Sequence, residues 1–377
     1  MSMFSKHSSA SAASDAANDR IYEPLPIPRL TENLAGPPKS LELTVEQQKV
    51  FDEVLNHFTP EDYELPCEKD RSLKEAEKFW LTWDCMHRYC RAVKWASARS
   101  AIKRLEETLI WRREYGVYDM ITEEHVEPEA LTGKMIIFGY DKDGRPALYL
   151  RPSKQNTEEN PKQLHFVVWA LERCEDLMGP GIENLSLMVD FADRAKNPSL
   201  QTSRETLNIL QNHYPERLGR SLIINVPWLV HVFLKMIMPF VDPRTRDKIR
   251  FNPDCLKEGL FAPNMLMREW GGTANFEYEH ARYWPATVKM CDEHRQRRLE
   301  AWRMLGAKVG IKEWDIKTRE VEASPDGQDE EVDAAVAVAD RSEAATLSDG
   351  VRGLDLKEVD EADAVVEAEP RPVSVTA

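Results

Sequence analysis

The chain has 377 residues, of which 42% are hydrophobic, so it can bury the core of one large or two modest domains. Its formal net charge of −15 is concentrated in Asp315–Ala377, where 18 acidic residues outnumber six basic ones. The rest of the chain is close to neutral, so its charge does not exclude anionic partners. The chain contains no run of basic residues of the kind that binds nucleic acid.

The two ends of the chain are predicted to be disordered. Residues 1–40 are rich in Ser and Ala and then in Pro, without the apolar run of a secretory signal or the arginines of a transit peptide. Residues 315–377 are strongly acidic, which is typical of a solvated tail. The six cysteines show neither a CxxC pair nor framework spacing, so they are predicted to be reduced, in a cytoplasmic protein.

Residues 41–116 are predicted to form a small helical module. Thr44 and Gln47 have the spacing of a capping box, so a first helix is expected to begin there. Apolar residues recur at steps of three and four within Leu73–Tyr115, which indicates a domain of three or four helices in all. Gly116 is predicted to end the module, because glycine readily takes the positive φ of a helix C-terminus.

Strands and helices alternate in residues 131–276. Met135–Tyr140 and Ala147–Leu150 flank a turn that contains Gly144, which predicts a hairpin. The segments that follow are predicted, in order, to be a helix at Pro161–Met178, a strand at Leu185–Phe191, a helix at Ser199–Asn212, and strands at Ser221–Val226 and Lys248–Phe251. This alternation predicts the α/β class with a mixed, largely parallel sheet.

A C-terminal helix is predicted within residues 283–312. It carries four basic side chains, His294, Arg295, Arg297 and Arg298. Two interpretations stay open: contact with anionic lipid headgroups, or a solvated face balanced by nearby acidic residues, which is favoured.

The most apolar stretch of the chain is Ser221–Val241. It is long enough to cross a bilayer, but Lys235 inside it and the breaks at Pro227 and Pro239 argue against a span. The pattern instead predicts a strand followed by a helix with one apolar face, formed by Leu229, Val232, Phe233, Met236, Ile237 and Phe240. Core packing and lipid contact are both open for this face.

The sequence contains no phosphate-cradling P-loop, no GxGxxG, no HExxH and no GxSxG, and its nine histidines show no metal-ligand spacing. No catalytic residue, metal or cofactor is therefore predicted. A carboxylate, a hydroxyl and an ammonium do flank the apolar strand–helix unit, at Glu216, Thr245 and Lys248, and together they suit an inositol phosphate. The alternative is that Glu216 caps a turn and Lys248 is a surface cation.

Five ordered motifs resemble the CRAL-TRIO lipid-transfer family. They are HRYCRAVKW at 87–95, WRREYG at 111–116, DKDGRP at 141–146, NHYPERLGRSLIINVPW at 212–228 and PFVDPRTRDKI at 239–249. The resemblance extends from Thr44 to Lys312 and is strongest to yeast-type phosphatidylinositol transfer proteins of the sterol-binding branch associated with azole tolerance. It implies a sheet that floors an apolar pocket, with the Trp228–Phe240 helix as a movable gate.

The resemblance also implies site residues. Phosphatidylinositol headgroup contacts fall on Lys94, Glu216, Thr245 and Lys248, and all four have the matching residue type. One phosphate-binding arginine of the family is replaced by Val93, which is expected to weaken headgroup binding. Leu185 and Leu187 of the pocket strand replace the polar pair of choline-binding relatives, so a sterol is the expected second ligand.

The function implied is exchange of phosphatidylinositol between membranes by a peripheral cytoplasmic protein at the endoplasmic reticulum, lipid droplets or plasma membrane. Two alternatives are a lipid sensor that presents lipid to a kinase or membrane-contact partner, and a sterol carrier without phosphatidylinositol transfer. A lipid hydrolase is disfavoured because no nucleophile with an adjacent base is evident. A carrier of small isoprenoids is disfavoured only by the pair Glu216 and Lys248.

Overall fold

A computed structural model of the chain describes residues 19–28, 43–192, 199–228, 232 and 243–322. The N-terminal module contains α1 (Val45–Phe58), α2 (Glu75–Trp80), α3 (Trp83–Ala92) and α4 (Ala98–Glu114). The predicted capping box is present, since Thr44 and Gln47 exchange hydrogen bonds at the start of α1. Gly116, with a φ of 75°, follows α4 as predicted.

The module folds around its own apolar core. In α1 the buried residues are Phe51, Val54 and Phe58, whose spacing of three and four places them on one face of the helix. This face packs against buried side chains of α3 and α4, including Tyr89 and Leu105. Burying whole faces in this way stabilises helices that would be marginal as isolated peptides.

A five-stranded sheet forms the centre of the second part of the chain. Its strands are β1 (Met135–Tyr140), β2 (Pro146–Leu150), β3 (Leu185–Asp190), β4 (Leu218–Ile224) and β5 (Ile249–Phe251), in the spatial order β1-β2-β3-β4-β5. The β1–β2 pair is antiparallel and all other pairs are parallel. The mixed, largely parallel sheet and the hairpin at Gly144, whose φ is 77°, confirm the predicted fold class.

Helices cover the sheet and connect its strands. They are α5 (Glu123–Ala130), α6 (Pro161–Asp176), α7 (Leu200–His213), α8 (Pro243–Arg246), α9 (His280–Met304) and α10 (Glu313–Glu322). The pattern did not predict α5, because its sequence contains Pro128 and buries only one large apolar side chain, Val126. The cap from Thr122 to the backbone of His125 begins the helix instead.

Residues 19–28 lie on the folded body, where the sequence predicted a disordered tail. Ile21 forms a parallel bridge with Phe276, and its backbone amide donates to the carbonyl of Asn275 at 3.0 Å. The guanidinium of Arg282 stacks 3.8 Å from the centre of the Tyr22 ring. The sequence did not predict this packing because the segment is rich in proline. Its contacts, a backbone pairing and one aromatic stack, also produce no periodic pattern of apolar residues.

Helix α10 corrects the predicted start of the acidic tail at residue 315. Ile316 of this helix is buried in a cluster with Ala301 and Trp302 of α9. Two of its acidic residues are paired inside the protein: Glu313 accepts a hydrogen bond from Arg88 at 2.8 Å, and Glu320 accepts one from Arg298 at 2.7 Å. Composition averaged over the whole tail could not show that these carboxylates have buried partners.

Arg298 follows neither of the two interpretations that the sequence left open for the basic residues of α9, whereas Arg295, whose side chain is 40% exposed and lies 3.1 Å from Asp292, fits the solvated, balanced face. Arg298 is 6% exposed and donates to the backbone carbonyls of Glu175 and Met178 as well as to Glu320. Burial acts to raise the pKa of Glu320, but hydrogen bonds from His294 and the charge of Arg298 lower it to about 2. His294, Arg297 and Arg298 therefore form an ion-pair network with Glu320 that attaches α10 to α9.

Candidate functional site

The turn between α7 and β4 places Glu216 at the edge of the sheet. Glu216 has a φ of 63°, a left-handed conformation that costs a non-glycine residue about 1–2 kcal/mol. The turn is held from both sides: the Tyr214 hydroxyl donates to Glu172 at 2.7 Å, and the Tyr89 hydroxyl donates to the His213 carbonyl at 3.0 Å. The carboxylate of Glu216 is thus fixed in position and remains 25% exposed.

Lys248 reaches the same turn from the other end of the strand–helix unit. Its Nζ donates to the carbonyl of Leu218, two residues after Glu216, and its own carbonyl accepts from the amide of Ser221 at 2.9 Å. The Lys248 amide donates to the Thr245 carbonyl at 3.2 Å, so Thr245 lies in the same turn. The structure therefore brings together three of the four predicted headgroup residues.

Lys94, the fourth, lies in the turn that follows α3. It has a φ of 56° and an exposed side chain, and its amide donates to the Arg91 carbonyl at 2.9 Å. Its link to the turn before β4 runs through Arg91, whose Nε is 3.8 Å from Oε2 of Glu216. The headgroup roles of all four residues stay predictions.

Arg91 belongs to a polar cluster on α3 that the motif comparison did not single out. Its Nη2 donates to Glu183 Oε2 at 2.7 Å, and its Nη1 lies 3.0 Å from Nδ1 of His87. Burial lowers the pKa of His87 to about 4, with a further contribution from the charge of Arg91. His87 is therefore neutral at pH 7 and accepts from Arg91 through Nδ1.

This histidine makes stability depend on pH. An unfolded histidine has a pKa near 6.5. Between that pH and about pH 4, His87 is therefore protonated in the unfolded chain but neutral in the folded chain. We expect the free energy of unfolding to fall between pH 7 and pH 5, with about 2 kcal/mol due to His87. Urea unfolding at the two pH values, with wild type and His87→Gln, measures this. An equal fall in both proteins would contradict the assignment.

One face of the sheet is mainly apolar from its centre to its edge, with Ser221 as the polar residue in the row. Leu148, Leu187, Ser221 and Ile249 are in register across four strands and therefore point to the same side. Leu187 is partly buried, whereas Leu185 is buried in the core cluster that includes residues of α6 and α7. Both lie on the predicted pocket strand, and their contact with lipid stays a prediction.

The predicted gate helix falls mostly outside the described residues. Leu229, Phe233, Met236, Ile237 and Phe240 all lie there. Two residues of the segment are described, and both expose their side chains: Trp228 is 76% exposed and Val232 is 43% exposed. Phe251, at the edge of the sheet, is 41% exposed. In the part of the chain that the structure describes, no helix is both long and apolar enough to cross a bilayer.

A cavity of about 340 Å³ lies between the helical module, α6, α9 and α10. Its walls carry charged side chains of both signs, among them Arg88, Arg112, Glu172, Glu313 and Lys317. Most are already paired, as in the two hydrogen bonds of 2.9 Å from Arg112 to Glu172. Burying acyl chains against so many charges is unfavourable, so this cavity is not the lipid pocket.

Comparison with known proteins decides the family. The model of the CRAL/TRIO domain matches residues 131–272, and that of the CRAL/TRIO N-terminal domain matches residues 50–107. Phosphatidylinositol transfer protein PDR17 of Saccharomyces cerevisiae is 36% identical over 298 residues, which cover 73% of this chain and 84% of PDR17. The chain belongs to the CRAL-TRIO family. It is a lipid-binding protein, as the resemblance implied, and not an enzyme.

The chain is also similar to a second sequence relative and to one solved structure. A CRAL-TRIO domain-containing protein of Schizosaccharomyces pombe is 44% identical over 298 residues, 78% of this chain but only 29% of that protein. This CRAL-TRIO chain thus matches less than a third of that relative's length. The crystal structure of Sfh5 covers 63% of this chain and 91% of its own, with 18% identity and a TM-score of 0.43, too weak to add to the assignment.

Within the CRAL-TRIO framework, sequence reasoning overlooked Arg91 and Glu183 at the site. A usable signal was present, because His87, Arg88 and Arg91 stand at helical spacing among the apolar residues of α3. The opposite side of α3 carries the buried residues Met86, Tyr89 and Cys90, so the helix is buried on more than one side and its buried or half-buried polar side chains need partners. Glu183, just before β3, is such a partner for both arginines.

Proposed function

We propose that this protein extracts phosphatidylinositol from one membrane and releases it into another. The observation that carries the proposal is the convergence of Glu216 and Lys248 at the start of β4. A carboxylate accepts hydrogen bonds from ring hydroxyls, and an ammonium binds a phosphate. Identity of 36% with a protein named for phosphatidylinositol transfer supports the same ligand.

The acyl chains set the requirement for a pocket. A lipid with about 30 methylene groups loses on the order of 24 kcal/mol when it leaves a bilayer for water, at ~0.8 kcal/mol for each methylene. The chains must therefore be enclosed completely during transport. We assign this role to the apolar sheet face around Leu187, closed by the gate helix, which opens at the membrane near Pro227 and Pro239.

A sterol is the proposed second ligand. Leu187 presents no polar group, and its in-register neighbour Leu148 is apolar as well, while the hydroxyl residue Ser221, its neighbour on β4, is only 4% exposed. Such a face, with one buried hydroxyl, offers a zwitterionic choline headgroup few hydrogen bonds, and a sterol needs few. The protein would then act in the cytoplasm and bind membranes peripherally and reversibly.

Native mass spectrometry with lipid extraction tests the ligand and its site. After incubation with vesicles that contain phosphatidylinositol and sterol, we expect wild type to carry phosphatidylinositol. Lys248→Ala should bind it about 10- to 100-fold more weakly, because a charge-assisted hydrogen bond contributes about 1.5–3 kcal/mol. Lys257→Ala, which removes a lysine whose side chain is 87% exposed, serves as control. Sterol alone in every protein would make this a sterol carrier.

A further inference from the structure

Arg91 connects the helical module to the residue pair that carries the proposed function. It lies on the last turn of α3, and its guanidinium is oriented by Glu183 at 2.7 Å and by His87 at 3.0 Å. These contacts use the two terminal nitrogens. The remaining donor, Nε, faces Glu216 at 3.8 Å, which is an ion pair but too long for a hydrogen bond.

The Nε atom of Arg91 is buried and has no hydrogen-bond acceptor among the described residues. Buried donors without an acceptor are rare in folded proteins, and an arginine cannot lose its proton to avoid the cost. The side chain as a whole keeps 22% of its surface exposed, and that of Glu216 keeps 25%. The donor is therefore close to a surface that a ligand can reach.

Two cations from different parts of the fold flank the same short segment. Arg91 lies beside Glu216, and Lys248 Nζ contacts the carbonyl of Leu218, two residues further along. An anionic group placed here gains from both charges, while Glu216 favours a ligand that also brings hydroxyl donors. The segment therefore suits a phosphate ester that carries free hydroxyls better than an anion without hydroxyls, because only the former can donate to Glu216.

We propose that Arg91 binds the phosphate of the inositol headgroup through Nε, together with Lys248. This inference rests on the proposed function and adds a ligand-contacting residue to it. It also changes the expectation that Val93, in place of a phosphate-binding arginine of the family, weakens headgroup binding. That side chain packs against the core of the helical module, so it is directed away from the headgroup. Arg91 supplies a guanidinium from the last turn of α3, two residues before Val93, and headgroup binding is maintained.

The test compares bound phosphatidylinositol in wild type, Arg91→Gln and Arg91→Lys by native mass spectrometry after incubation with vesicles that contain phosphatidylinositol and sterol. Arg91→Gln should bind about 10- to 100-fold more weakly, the range for losing one charge-assisted hydrogen bond. Arg91→Lys retains the charge but lacks Nε, so an intermediate loss is expected. Sterol occupancy, which does not involve the phosphate, should be the same in all three proteins and serves as the check on folding.

Arg104→Gln is the matched control. Arg104 also joins the helical module to the end of α7, where its guanidinium donates to the backbone carbonyls of Gln211 and Asn212. It should retain phosphatidylinositol within about twofold of wild type. An equal loss in Arg104→Gln and Arg91→Gln would reduce Arg91 to a link between the modules and overturn the inference.

The inference and the proposed function fail in different ways. Weak binding in Lys248→Ala with full binding in Arg91→Gln would leave the function standing and remove Arg91 from the site. A wild type that takes up no phosphatidylinositol would contradict both.

Discussion

A chain that ends at Lys312 is expected to lose at least about 3–5 kcal/mol of its free energy of unfolding relative to a chain that ends at Ala323. The shorter chain lacks α10, and with it the partners of two buried arginines. Arg88 loses Glu313 and Arg298 loses Glu320, and the exposed fractions of the two arginine side chains are only 3% and 7%. A buried guanidinium without its carboxylate is strongly destabilising because it cannot regain water without disrupting the packing around it.

Chemical unfolding of the two truncated chains, followed by circular dichroism, measures the difference. The chain ending at Ala323 is the control, because it removes the rest of the acidic segment but retains α10. Glu320→Gln in that control isolates one ion pair and should account for only part of the loss. Equal stability of the two truncated chains would show that α10 contributes nothing to the folded body.

The sequence predicted those parts of the fold that repeat a pattern. The hairpin at Gly144 and the strand at Leu185–Asp190 were found because apolar residues run without interruption between turn residues. The capping box at Thr44 was found because it is a fixed spacing of two polar residues. These signals are local, so one chain segment is enough to recognise them.

Features that depend on distant partners were not predicted. Glu320 was assigned to a solvated tail because its neighbours in sequence are acidic, whereas its partners, His294 and Arg298, are more than 20 residues away. For the same reason Arg298 was interpreted as a surface cation. Only the folded chain shows that the two errors concern one ion pair.

The candidate site was predicted in part for a related reason. Glu216 and Lys248 flank a strand–helix unit, and parallel strands bring such flanking positions to one edge of a sheet. Arg91 comes from the helical module, and neither spacing nor periodicity shows which of its side chains meets the sheet. The site therefore depends on both matched segments, 50–107 and 131–272, and not on the sheet alone.

Replacing the exposed apolar residues of the predicted gate segment with serine is expected to reduce adsorption of the protein to membranes by roughly two orders of magnitude. Trp228 and Val232 are four residues apart in the sequence, and 76% and 43% of their surface is exposed. Burying two such side chains in a bilayer contributes about 2–4 kcal/mol. Trp228→Ser with Val232→Ser removes this contribution without adding charge. Co-sedimentation with uncharged phosphatidylcholine vesicles measures the change.

Val45→Ser is the matched control, because Val45 is 82% exposed but lies on α1 of the helical module. It should adsorb like wild type if the gate is the membrane-binding surface. Phosphatidylinositol carried from expression should remain bound to the double variant, since Glu216 and Lys248 are unchanged. Loss of adsorption with retained lipid would separate docking at the membrane from binding of the headgroup. Unchanged adsorption would mean that another surface meets the bilayer, and the gate would then move without contacting lipid.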